Sequence, residues 1–261
     1  MLSPLFELIL PFFLSFTVVI LITVLAERYG TKVGGIAGTL PSTIVIAFLF
    51  IALDDGVSYA THSVSIAIAI MGLNLLFLAA FATLCTRSLL IALVGAFTVW
   101  TLGTIIIYVT DVATMTIPLL AFILCFIIAL MYLERYRRVA SQPNITMRYT
   151  AKKLLLRGLL AGIVIASAVS LSNINVALSG ILAMFPAIFL STMLIAYLEH
   201  GPTFTRGLAK GMIYGSPSVA AYGAAIYFLY PTLGILVGTI IAVLLSLTTS
   251  LLLYLSRSVL N

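Results

Sequence analysis

Apolar residues in this chain fall into long continuous runs, separated by short polar or turn-forming stretches. Nine such runs span residues 4–26, 33–53, 61–86, 88–110, 112–133, 158–171, 176–198, 207–230 and 232–256. Most approach the length of about 20 residues that carries a helix across the hydrocarbon core of a bilayer. The sixth is short as written and extends back to Leu154, with Arg157 snorkelling to the interface. The runs do not alternate in polarity, which argues against a membrane barrel. The pattern predicts an all-α integral membrane protein with nine transmembrane helices.

The second run is the most interrupted. It carries Gly34, Gly35, Gly38 and Pro41 in its first half, followed at once by Ser42 and Thr43. Proline removes a backbone donor and crowds the preceding turn, so the helix should kink or break at Pro41. Lipid does not tolerate unpaired backbone, so such a break must face protein or a polar cavity. The same signature returns 145 positions later without a gap: Gly35 matches Gly180, Pro41 matches Pro186, Asp54 matches Glu199, and Gly56 matches Gly201. This spacing predicts an internal duplication.

Composition sharpens the class. Of 261 residues, 63% are hydrophobic and only 8% charged, against about a quarter charged in soluble domains. The first residues lack a basic region, so a cleaved signal peptide is not expected. Cys85 and Cys125 lie in apolar context and imply packing, without a disulfide framework or a metal site.

Charge placement predicts orientation. With nine crossings, all 13 Lys and Arg residues fall on one side, including the cluster between Glu134 and Arg157, while Glu7, Asp54, Asp55 and Asp111 fall on the other. Basic loops stay cytoplasmic, so the N-terminus is expected outside and the C-terminus inside a cytoplasmic membrane. The basic excess thus serves orientation, and no nucleic-acid partner is expected. Spans one to four and six to nine should then be two inverted four-helix repeats, residues 1–111 and 158–261. A linking helix and a basic loop, residues 112–157, join them. Inverted repeats with broken helices near the midplane are a transporter architecture.

No Walker loop, HExxH, GxSxG or dinucleotide fingerprint is present, so catalysis is not expected and no cofactor is called for. Asp, His and Met residues lack the spacing of a metal site. Four polar interruptions fall near the middle of their spans: Thr39 to Thr43, Gly72 to Asn74, Phe185 to Pro186 and Gly215 to Ser218. A helix that restarts past a break offers unpaired N–H groups, and the end before it offers carbonyls. The expected substrate-binding set is therefore Thr39, Pro41, Ser42, Thr43, Asn74, Pro186, Tyr214, Ser216, Pro217, Ser218 and Tyr222. Asp54, His62 and Glu199, near span ends, are the expected coupling or gating groups, His62 because its ordinary pKa of about 6.5 lies near neutrality. The plainer alternative is that the prolines only bend helices and the hydroxyls bond their own turns. No Lys, Arg, Asp or Glu is expected at the midplane, so the substrate should not meet a buried countercharge. Tyr29, Tyr136 and Tyr230 suit an interfacial aromatic belt.

These expectations add up to a secondary transporter moving a small solute or ion by alternating access. The rivals are a channel or facilitator on the same scaffold, a non-transporting membrane subunit of a complex, and a membrane-embedded lipid-modifying enzyme. The partners implied are the bilayer and the solute, with a homo-oligomer compatible with both.

Overall fold

The computed structural model describes residues 4–28, 41–110, 114–140, 149–172 and 174–260. All regular structure in them is helical: α1 (Pro4–Arg28), α2 (Ser42–Asp54), α3 (Val57–Leu84), α4 (Leu89–Thr110), α5 (Thr116–Met131), α6 (Ala151–Ser170), α7 (Val176–Ala183), α8 (Ala187–Gly215), α9 (Pro217–Leu233) and α10 (Ile235–Leu260). A π-helical turn, Tyr132–Tyr136, extends α5. Thr39, the glycines Gly34, Gly35 and Gly38, and Asp111 lie outside the described residues.

Among the described residues, six apolar helical stretches are long enough to cross a membrane: Val57–Leu84, Leu89–Thr110, Thr116–Tyr136, Ala151–Ser170, Val176–Leu233 and Ile235–Leu253, and Leu8–Val24 and Ser42–Asp54 are shorter apolar helices. The outer helices turn large apolar side chains outward, with Leu90 at 70%, Val109 at 75% and Leu236 at 69% exposure. A surface of this kind is stable against acyl chains and aggregates in water. The chain is a multi-pass helical membrane protein.

The core is α3, which is apolar all round because other helices surround it. Val64, Ile66, Ile68, Ile70, Leu75, Phe77 and Leu78 are fully buried. Segments 176–215 follow α3 and then fold back along it. Gly180 on α7 lies against Ser63 and Ile66, Asn74 reaches Met184, and Cys85, just past the end of α3, approaches the carbonyl of Pro202. The chain therefore runs parallel to α3 from Gly180 to Gly201 and reverses there. On the way back Gly223 on α9 packs against Ile68 and Val64. The reversal is made by Gly201 at φ 75°, ψ −176°, inside α8. Gly56, between α2 and α3, has nearly the same geometry, φ 91°, ψ 170°. Both dihedral pairs lie where a Cβ is strongly disfavoured, which is why glycine stands at each.

The two proline positions match as closely. Pro41 precedes α2 at φ −76°, ψ 45°, and Pro186 precedes α8 at φ −74°, ψ 35°. α1 and α6 pack side by side: a Cβ on Gly158 would meet Phe16, and one on Gly162 would meet Phe12. Rising numbers on α6 meet falling numbers on α1, so these helices, which occupy equivalent positions at the 145-residue offset, run antiparallel. α3 and the α8–α9 segment, equivalent at the same offset, are antiparallel as well.

Charges sort to the two ends of the bundle. Lys153, at the start of α6, pairs with Glu199, and Lys210 pairs with Glu134 at 3.0 Å. Arg206 donates to the carbonyl of Arg137. At the other end of α6, the Ser172 hydroxyl donates to Asp55.

Several expectations change. The third run is not broken at Gly72 to Asn74: α3 passes straight through. Gly72 carries no proline with it and serves close approach, since a Cβ there would come within 3.2 Å of the Phe122 backbone. Gly215 to Ser218 is a mild joint, because Ser216 keeps helical dihedrals of φ −61°, ψ −28° and Pro217 sits at the first helical position, where its missing N–H costs little. Tyr230 is buried rather than interfacial and bonds Thr239 at 2.9 Å. Arg157 does not snorkel; it is buried between α6 and α8.

Close packing and backbone conformation make separable demands on these glycines. A Cβ at Gly180 would stand 2.4 Å from the backbone oxygen of Ser63, so Gly180→Ala must push α7 off α3 and should cost about 1–3 kcal/mol. Gly56 has open space around its missing Cβ, so Gly56→Ala should cost only the positive-φ strain, about 1–3 kcal/mol. Melting temperatures in detergent should fall for both. A compensating Ser63→Ala should rescue neither, because the clash at Gly180 is with main chain.

Candidate functional site

The interruption between α7 and α8 is the best-defined irregularity in the core. α7 ends at Ala183, Met184 leaves helical geometry at φ −108°, ψ 14°, and Pro186 opens α8. Proline causes the break, as its ring and missing N–H forbid a continuous ladder. The strain is relieved locally by backbone bonds from Phe185 N to Leu182 O at 3.0 Å, Ala187 N to Phe185 O at 2.7 Å and Leu190 N to Pro186 O at 2.7 Å.

Asn74 completes the arrangement. Its amide nitrogen donates to the Met184 carbonyl at 2.8 Å, and its amide oxygen accepts from the Trp100 indole at 2.9 Å. Trp100 and Phe97 on α4 meet the Phe185 ring, with centroids at 5.4 Å and 6.3 Å. Phe77 packs on Phe97 in turn. Asn74 is 2% exposed. A side-chain amide thus takes the carbonyl freed by the break, where no water is on hand to do so. Of the residues expected to bind substrate, Asn74 and Pro186 are brought together, with Asn74 already holding a protein partner on each end of its amide.

Pro41, Ser42 and Thr43 open α2. Pro41 is buried and Ser42 and Thr43 half-buried, and the first turn has no side-chain cap. Neither hydroxyl has a hydrogen-bond partner among the described residues. The hydroxyls at the other joints behave differently. Ser216 donates to Ile213 O at 2.7 Å, Ser218 to Gly215 O at 2.8 Å, and Ser191 and Thr192 both to Ile188 O. These bond back to their own turns, as helix hydroxyls commonly do. Ser216 and Ser218 are buried and Pro217 half-buried.

The tyrosines part company. Tyr222 lies fully buried on α9 with Tyr230 nearby in the same helix. Tyr214 on α8 donates instead to Glu134 in the π-helical turn after α5, the carboxylate that also pairs with Lys210. Lys210 donates further to Val139 O at 3.2 Å. The expected coupling residues are divided between the ends of the bundle. Asp54 and His62, both half-buried, stand on either side of Gly56, whereas Glu199 is paired with Lys153 at the far end.

Sequence reasoning missed two features. One is the Glu134, Lys210 and Tyr214 group, whose members are 80 and 76 positions apart. The other is Arg157, which donates to Thr192 Oγ1 at 2.6 Å and lies over the Tyr149 ring at 5.3 Å. An arginine close to a helix start reads as interfacial in any sequence, so nothing local announces its burial. Among the described residues no group of His, Cys, Asp and Glu is arranged to hold a metal ion. An open groove of about 510 Å³ on α4, lined by Leu93, Val94, Phe97, Thr98, Thr101 and Leu102, is mostly apolar and faces outward, where acyl chains would lie.

Comparison with known proteins adds one finding. A family model described as a protein of unknown function, DUF3147, matches the chain twice, over residues 8–113 and again over residues 154–259. No curated protein and no solved structure matches it.

The geometry makes Asn74 a stabilising group. Asn74→Leu strands the Met184 carbonyl and the Trp100 indole in a dry core, each left without its partner. The expected loss is about 2–4 kcal/mol of folding stability. It would be read as a lowered melting temperature and early aggregation in detergent. Asn74→Asp should fare no better, since a carboxylate cannot donate to Met184 O. Wild-type stability in both variants would remove Asn74 as the support of the break.

Proposed function

We propose that this chain, which belongs to the DUF3147 family of proteins of unknown function, is a secondary transporter that moves a small solute or ion by alternating access. The observation that carries the reading is the pair of matched proline-led helix starts. Pro41 and Pro186 share φ and ψ within about 10°, as read from their dihedrals, and lie 145 positions apart. Gly56 and Gly201 repeat the agreement at the same offset. The double match to one family model falls at almost the same separation. Antiparallel α1 and α6, and antiparallel α3 and α8–α9, then support two inverted repeats. Nine crossings follow if residues 176–233 are counted as two passes turning at Gly201 and if residues 33–53 cross as one.

Two near-equivalent halves about an in-plane axis can exchange conformations, opening one site first to one side and then to the other. The site proposed lies at the starts of α2 and α8. Ser42 and Thr43 carry the hydroxyls with no described partner, while the second break has its freed carbonyl occupied by Asn74. The two helix starts are therefore unequal: the second is a fixed joint, the first the polar surface offered to solute. With basic residues gathered at the end holding Lys153, Arg206 and Lys210, that end is the cytoplasmic one.

Purified protein in liposomes should support solute uptake, and preloaded unlabelled solute should accelerate it. Such counterflow separates a carrier from a channel, and flux by the protein alone separates both from a non-transporting subunit. Ser42→Ala and Thr43→Ala should each weaken solute affinity by about tenfold to a hundredfold, the loss of one buried polar partner in the complex, with little change in melting temperature. Unchanged affinity in the double variant would place the site elsewhere.

A further inference from the structure

Arg157 is a buried cation without a counterion among the described residues. It is 8% exposed. One terminal nitrogen donates to Thr192 Oγ1, and the buried Nε has no hydrogen-bond partner. Among the described residues its only other polar or charge contact is with the Tyr149 ring. The Thr192 hydroxyl is a neutral acceptor whose proton is already given to Ile188 O. A guanidinium has five N–H groups, so most of this one is unspent. Lys153, one helical turn earlier on α6, is matched by a carboxylate on α8, Glu199. Arg157 is not. Burying an ion without partners is costly in protein and in lipid alike.

Helix packing does not require the charge. At the 145-residue offset, Arg157 corresponds to Phe12 and Thr192 to Ala47. α1 and α2 pack together in the first repeat and α6 and α8 in the second, and the first repeat has an aromatic residue and an alanine at the positions where the second has an ion and a hydroxyl. The cation is therefore an addition on one half only. Lys153, a turn away, is already matched by Glu199, so among the described residues the charge left unmatched here is that of Arg157. The stretch 187–200 that carries Thr192 is bounded by Pro186 and Gly201, two points at which its backbone leaves helical geometry.

We infer that Arg157 is the receptor for a small oxyanion, a carboxylate or phosphate group on a soluble solute, and that the solute of the proposed transporter is anionic. This rests on the transport reading for its direction, while the binding claim stands alone. In the present conformation Nε is shut off from solvent, so the anion enters when residues 187–200 shift away from α6. It then takes the unspent N–H groups in the planar two-point fashion that guanidinium offers to oxyanions. This differs from the sequence-based expectation that the substrate meets no buried countercharge.

The test uses full-length protein in nanodiscs of uncharged lipid, titrated with sodium phosphate and sodium acetate at constant ionic strength. A saturable rise in melting temperature is expected with at least one of the two. Arg157→Gln should weaken that anion's apparent affinity by about thirtyfold or more, the effect of removing one member of a buried charged pair. Arg157→Lys should keep a weakened response. Should Arg157→Gln not fold, Thr192→Val decides: it retains the cation, so the anion response should survive it. No saturable response to either anion, or a response equal in wild type and Arg157→Gln, overturns the inference. Stabilisation by phosphatidylglycerol nanodiscs with none from the soluble anions also overturns it, since the occupant would then be a lipid headgroup. Anion binding in a protein that shows no counterflow would leave the receptor standing and refute the carrier reading.

Discussion

At the depth of Met184 a backbone carbonyl has lost its helical partner, and the rest of the core is arranged around meeting that need. Pro186 creates the vacancy and Asn74 fills it at 2.8 Å. The amide can do so only because α3 runs unbroken past the end of α7, and it is held in orientation by the Trp100 indole on its other face. Trp100 in turn rests edge-on against Phe185. Three helices are thereby locked at one level by one amide. In water the same carbonyl would be solvated and the asparagine dispensable; in a dry interior an unpaired group costs several kcal/mol or about that order.

The duplication gives this lock an asymmetric counterpart. The first repeat has the same proline geometry at Pro41, and position 219, which corresponds to Asn74, is a valine. The second repeat's third segment therefore offers no amide to the first repeat's break at that register. Instead the first break brings its own hydroxyls, Ser42 and Thr43. Similar divergence separates Phe12 from Arg157 and Ala47 from Thr192. The two halves thus differ in their polar groups: an amide at one helix start, hydroxyls at the other, and on α6 a buried cation, Arg157, with no carboxylate partner among the described residues. The matched backbone and unmatched side chains are what a duplicated carrier with one solute site would need.

Much of the fold was legible because lipid imposes simple rules on sequence. Continuous apolar runs located most of the helices, and the prolines at 41 and 186 located the starts of α2 and α8. Glycine at 56 and 201 marked turns that only glycine readily makes. The misreadings share one cause, namely that a polar residue in an apolar run does not reveal its partner. Asn74 looked like part of a break in its own helix, but it serves a carbonyl 110 positions away. Arg157 looked interfacial because arginine near a helix start usually is, and Tyr230 looked like belt material for the same reason. Tyr214 reads as a substrate-site residue in the sequence, and its hydroxyl donates to Glu134 across 80 positions.

Alternating exposure of the α2 start is the central claim, and chemical accessibility measures it directly. Thr43→Cys in a chain whose Cys85 and Cys125 are replaced by serine can be labelled with a membrane-impermeant thiol reagent from either face of oriented vesicles. Modification from both faces is predicted, with solute added on one side raising the rate from one face and lowering it from the other. Labelling from a single face whatever the solute gradient, or from neither, would contradict an alternating site at this position.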